Sequence, residues 1–101
     1  MAEFDYKRLD EVIHSRIRLG IMSLLYSYVD AEFTFIRDKI ETTDGNASVH
    51  LKKLEEAGYV SVTKSFVNRK PRSEYRLTRK GRGAFERYVR ELEHLINERR
   101  P

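Results

Sequence analysis

Apolar side chains recur along this chain in two rhythms, and each change of rhythm marks an element. Leu9, Val12 and Ile13 predict a helical turn or two at the start. Ser15 is placed to cap a second helix, whose apolar positions Ile17, Ile21, Leu24, Leu25 and Tyr28 follow a 3.6-residue period. Leu19, Met22 and Val29 lie off that stripe, which predicts a helix buried by more than one neighbour. Ala31 to Ile40 reads as a third helix with Asp30 as its cap and Phe33, Ile36 and Ile40 on one face. After the turn Glu41-Thr42-Thr43, either Thr43 or Asp44 caps a fourth helix over 44–57 that buries Ala47, Leu51 and Leu54. Gly58 ends it with a positive φ.

From Tyr59 the period drops to two. Tyr59 to Thr63 alternates as a strand, extending toward Phe66 and Val67, and Pro71 marks a turn. Ser73 to Leu77 returns with Tyr75 and Leu77 on one face. Thr78 then caps a last helix carrying Phe85, Tyr88, Leu92 and Leu95, flanked by Val89 and Ile96. Gly81 and Gly83 each cost its first turns on the order of 1 kcal/mol relative to alanine, which predicts a close approach of the hairpin there. The order is four helices, two strands and a helix. It predicts an α+β fold, one domain over residues 1–101, with a helical core and hairpin over 8–77 and a C-terminal helix over 78–98.

Composition narrows the function. The chain has 101 residues, 40% of them hydrophobic and 36% charged, which is globular rather than disordered. No apolar run approaches the roughly 18 residues of a membrane span, and the first residues lack the apolar segment of a signal peptide. Cysteine is absent, which removes disulfides, thiolate catalysis and cysteine-bound zinc and suits a reducing cytoplasm. The net charge of +4 is unevenly placed. Residues 1–63 hold 8 basic and 11 acidic side chains, residues 64–82 hold 8 and 1, and residues 83–101 hold 4 and 4. A patch so localised points to a phosphate-bearing partner.

The polar face of helix 44–57 is the natural counterpart of that patch. Opposite its buried stripe it presents Asn46, Ser48, Val49, Lys52, Lys53 and Glu56 in varying degrees, with His50 between the two sides. Asn46 and Ser48 lie in the first turns, where a helix in a major groove meets base edges, and Val49 suits a thymine methyl. Lys52 and Lys53 suit phosphates, and His50 suits a packing or hydrogen-bonding role near the backbone. The basic turn at 68–72 adds Asn68, Arg69, Lys70 and Arg72, with Lys64 beside it, for an adjacent minor groove or its phosphates. His14, His50 and His94 are too scattered for a metal spacing, so no metal or other cofactor is expected. No triad or paired-carboxylate pattern supports an enzyme. The last helix carries more apolar surface than a small core needs. Phe85, Tyr88, Leu92, Leu95 and Ile96, joined by Leu9 and Ile13, are therefore expected to divide between the core and a homodimer interface. A two-fold dimer would set two such helices roughly 34 Å apart, one turn of B-DNA.

The chain resembles winged-helix DNA-binding proteins, in particular a compact archaeal and bacterial group related to the MarR and ArsR transcriptional regulators. The resemblance is carried by residues 9–19, by Phe33-Thr34-Phe35-Ile36-Arg37 and by Asp44-Gly45-Asn46 with Ser48. It continues through residues 50–60, Lys64 with Phe66, Arg69-Lys70-Pro71-Arg72, Tyr75-Arg76-Leu77-Thr78 and Gly81-Arg82. It implies a recognition helix after the Asp44-Gly45-Asn46 turn and a wing at 68–72. Many relatives have arginine where this chain has Val49, which leaves more of the recognition to Asn46, the lysines and DNA shape. The function so implied is a sequence-specific, homodimeric regulator of double-stranded DNA, acting as a repressor. A winged-helix protein–protein interaction module and a non-specific, chromatin-like DNA-coating protein are the alternatives. The resemblance leaves a small-molecule effector in a dimer cleft open, and no residue identifies one.

Overall fold

A computed structural model describes residues 5–97. The ends of the domain expected over 1–101, Met1 to Phe4 and Glu98 to Pro101, lie outside the described residues. In chain order it forms α1 (Arg16–Ser27), β1 (Ala31–Glu32), α2 (Phe33–Ile40), α3 (Asp44–Glu56), β2 (Val60–Val67), β3 (Lys70–Leu77) and α4 (Arg79–Asn97). The strands make one antiparallel sheet in the order β1-β3-β2. Ile13, Ile21, Met22, Leu25, Ile36, Leu51 and Leu54 are the largest fully buried side chains. The core therefore lies among the three helices, and Val60, Tyr75, Phe85 and Tyr88 seal it from the sheet and α4.

The helix ends follow the local chemistry. Ser15 Oγ accepts the Arg18 amide at 3.3 Å, and Thr43 Oγ, rather than Asp44, accepts the Asn46 amide at 3.1 Å. Gly58, at φ 81°, closes α3 in a Schellman arrangement: its amide bonds Glu55 O at 2.9 Å and the Tyr59 amide bonds Leu54 O at 2.9 Å. The first expected helix is only a 3₁₀ turn over Tyr6–Arg8. Asp10 instead takes the Val12 and Ile13 amides with one carboxylate oxygen, ordering a turn in place of a helix. Ala31 and Glu32 leave the expected third helix to pair with Tyr75 and Glu74. Asp30 is not its cap, because its carboxylate is held by Arg76 at 2.7 Å.

The hairpin is longer and tighter than its sequence suggests. Val67 faces Lys70, so the turn is only Asn68-Arg69, both left-handed at φ 52° and 67° as a two-residue hairpin of the I′ kind requires. Pro71 sits in β3 opposite Phe66, one step from the closing pair. That is a non-hydrogen-bonded position, where the missing amide proton costs the ladder nothing.

One junction joins α3, the hairpin and α4. The Thr78 amide donates to Tyr59 O at 3.0 Å, and its hydroxyl donates to Gly58 O at 2.6 Å. The same hydroxyl accepts the Gly81 amide at 2.9 Å, capping α4. A Cβ at Gly81 would lie 2.0 Å from Tyr59 O, so only glycine allows the two backbones to approach this closely. Gly83 does not share this role, since its nearest neighbour would be an Arg87 nitrogen at 3.9 Å. Gly81→Ala is therefore expected to destabilise the protein by about 3 kcal/mol or more, whereas Gly83→Ala should stabilise it by up to about 1 kcal/mol. Urea denaturation of the two variants checks the pair, and equal effects would contradict the junction.

Candidate nucleic-acid interface

Helices α2 and α3 are joined by Glu41-Thr42-Thr43, with Glu41 left-handed at φ 58° as the stop of α2. That turn lets Ile36, Ala47, Leu51 and Leu54 meet in the core and directs the opposite side of α3 outward. Asn46, Ser48, Val49, Lys52 and Lys53 are all exposed on that side. Residue His50 is half-buried, and its Nδ1 accepts from the Arg18 guanidinium at 2.9 Å. Burial first, then the charges of Arg18 and Lys53, lower its pKa, so the ring is neutral at pH 7 with its proton on Nε2. Arg18 in turn donates through Nε to Val12 O, which ties α3 to the segment before α1.

Two arginines that positive charge alone would assign to a polyanion are already occupied. Arg37 reaches from α2 to Asp44 at 2.8 Å and to Asp38 at 2.9 Å, and these two carboxylates hold its charge firmly. The Asp44 carboxylate at the start of α3 is thereby neutralised, so the positive end of the helix dipole faces outward with less opposition. Arg72 lies 3.2 Å from Glu74 and 3.5 Å from Glu32, bracing β3 against β1. Asn68, Arg69, Lys70 and Lys64 are exposed, and among the described residues these three cations have no ion pair. Helix α3 packs directly on β2, so its polar face and the free cations of the hairpin belong to one body.

Arg18 and Arg37 escape sequence reasoning because their partners lie 32 and 7 positions away, with no periodic signal joining them. The expected apolar interface residues divide sharply. Ile13 is 0% exposed and Tyr88 4%, so these two have no appreciable surface for a partner, whereas Phe85 is largely buried in the chain's own core but also lines the groove beside Tyr26 and Val89. Leu9 and Leu95 are half-buried. Leu92 at 37% and Ile96 at 67% face outward, with Val89 and Tyr26 nearby on the same side. Among the described residues, no group of three or more His, Asp or Glu side chains is placed to hold a metal, and no helix is long and apolar enough to cross a membrane.

Comparison with known proteins agrees with this architecture. The pattern of the winged helix DNA-binding domain matches residues 17–96. An uncharacterised protein of Methanocaldococcus jannaschii is 39% identical over 85 residues, spanning 84% of this chain and 92% of that one. The structure of a transcriptional regulator homologue from Pyrococcus horikoshii superposes with a TM-score of 0.87 at 28% identity, covering all of both chains. A MarR-family transcriptional regulator from Silicibacter pomeroyi shares the fold, with a TM-score of 0.63 at 16% identity over 86% of this chain and 57% of its own. The chain belongs to the winged helix DNA-binding domain family, and its structural neighbours are transcriptional regulators of the MarR type.

Proposed function

We propose that this DNA-binding regulator is a homodimer that recognises a particular duplex sequence and represses by occupying it. The observation that carries the reading is the pairing of two surfaces on one body. The exposed side of α3, with Asn46 and Ser48 in its first turns, is carried on the same body as a hairpin whose Lys64, Arg69 and Lys70 have no ion pair among the described residues. In this reading α3 lies in the major groove and Asn46 reads a base edge, for which a side-chain amide suits adenine. The turn at Asn68-Arg69 reaches the neighbouring minor groove or its phosphates. Lys52 and Lys53 contact phosphates along the groove, and the Nε2 proton of His50 is available to another. Arg72 acts mainly by holding the hairpin against β1.

The outward side of α4 supports the dimer. Val89, Leu92 and Ile96 are too apolar for a solvated face, and Val89 with Tyr26 borders an open groove of about 490 Å³ between α1 and α4. A second copy seated there along a two-fold axis would present two α3 helices to one side of the duplex.

With a duplex selected from a random pool, Asn46→Ala should raise Kd about tenfold and relax the preference at one base pair. Arg69→Ala and Lys70→Ala should each lower the slope of log K against log salt by about 1. Arg72→Ala should change that slope less. Unchanged anisotropy titrations for all of these would remove the proposed surface. In sedimentation, the unmodified protein should run as a dimer and Leu92→Glu with Ile96→Glu as a folded monomer. A monomeric unmodified protein at tens of micromolar would refute the interface.

A further inference from the structure

Beyond Thr63 and Glu74 the sheet narrows to two strands, because β1 pairs only with Glu74 and Tyr75. From Lys64 to Val67 the ribbon projects roughly 13 Å, at about 3.3 Å per residue. Val62 and Tyr75, still on the body, turn their face toward the core. Two steps further along that same face stand Lys64 and Ser73, and two steps beyond them Phe66 and Pro71. Phe66 is 76% exposed, although a phenylalanine ring is among the largest apolar groups a chain can bury. A two-stranded ribbon has no second layer to cover it. The side chain is therefore presented outward, one step from the turn, by a hairpin whose two left-handed turn residues fix its direction.

The charges around it identify what covers it. Lys64 lies two residues before Phe66 on the same face, and Arg69 and Lys70 follow at the turn, none of them with an ion pair among the described residues. An apolar protein surface would leave these cations desolvated without partners. A DNA minor groove offers both requirements together: phosphates along its rims for the cations, and apolar sugar faces and base edges within it for a ring and a prolyl side chain. We propose that Phe66, with Pro71 opposite it, forms an apolar wedge that the hairpin inserts into the minor groove beside the site of α3. The inference rests on the DNA-binding reading and adds to it a contact that is neither a hydrogen bond nor an ion pair. Its energetic signature differs accordingly, because an apolar contact releases no counterion.

The test uses the full chain and a duplex selected from a random pool. Phe66→Ala should raise Kd about five- to 150-fold, the range for losing one aromatic contact to a nucleic acid. The salt slope should stay at the unmodified value, in contrast to Arg69→Ala. The chain contains no tryptophan, so Phe66→Trp creates a single indole reporter at the proposed contact. At saturating duplex its emission should be quenched, shifted to the blue and protected from iodide. Emission still typical of an indole in water at saturation, or a Phe66→Ala affinity within twofold of the original, would overturn the wedge while leaving the DNA-binding reading intact. Failure of the unmodified protein to bind any duplex would overturn both. Solvent exposure of Phe66 makes either substitution neutral for folding, which circular dichroism of the free variants verifies.

Discussion

The carbonyl of Tyr59 lies where any side chain at position 81 would have to be, and the molecule is organised around that close approach. Gly58 turns the chain sharply out of α3, Tyr59 enters β2, and Thr78 binds the backbone of both. The same hydroxyl of Thr78 starts α4. Tyr59 also donates its phenolic proton to Asp10, and burial together with that bond pushes its pKa up to about 12. The N-terminal segment, α3, the base of the hairpin and α4 thus meet within a few residues. None of these contacts touches the proposed ligand, yet together they set the angle between α3 and the hairpin.

That angle matters because neither surface is strong alone. The outward side of α3 has two lysines and small polar groups, and the hairpin has three cations on a narrow ribbon that form no ion pair among the described residues. Phosphate contacts supply affinity and register, whereas base edges supply discrimination. A rigid junction lets the first position the second. The paired arginines serve the same end from within: Arg37 fastens α2 to the start of α3, Arg18 braces His50, and Arg72 stiffens the hairpin against β1. Positive charge in this protein is divided between groups that hold the frame and groups left free for a partner.

Features written locally were legible in the sequence. The caps at Ser15, Thr43 and Thr78 each accept an amide three positions on, Thr43 being the one of the two expected candidates that does so, and Gly58 takes the expected positive φ. The buried stripe of α3 follows from spacing alone, and the exposure of Asn46 and Lys52 follows from that stripe. What depended on distant partners was not legible. Two-residue β1 has no periodicity to detect and exists because Tyr75 and Glu74 are there to pair with it. Pro71, which in the sequence marks a turn, lies instead in β3, because at a non-hydrogen-bonded position its missing amide proton costs the ladder nothing. Likewise the apolar spacing of α4 could not separate Phe85 and Tyr88, which face inward, from Leu92 and Ile96, which do not. Only the path of α4 over α1 and the sheet decides that division.

In the proposed complex the outer side of α3 and the tip of the hairpin engage one duplex as a single surface. Amide chemical-shift mapping of the isotope-labelled protein during titration with a selected duplex separates this arrangement from its alternatives. Two clusters of perturbed amides are expected, at 44–53 and 64–72, that titrate together with one apparent Kd, while the amides of the Gly58–Tyr59 and Thr78–Gly81 junction shift little. Perturbation of α3 without the hairpin, of the hairpin without α3, or of two clusters with different affinities would contradict it.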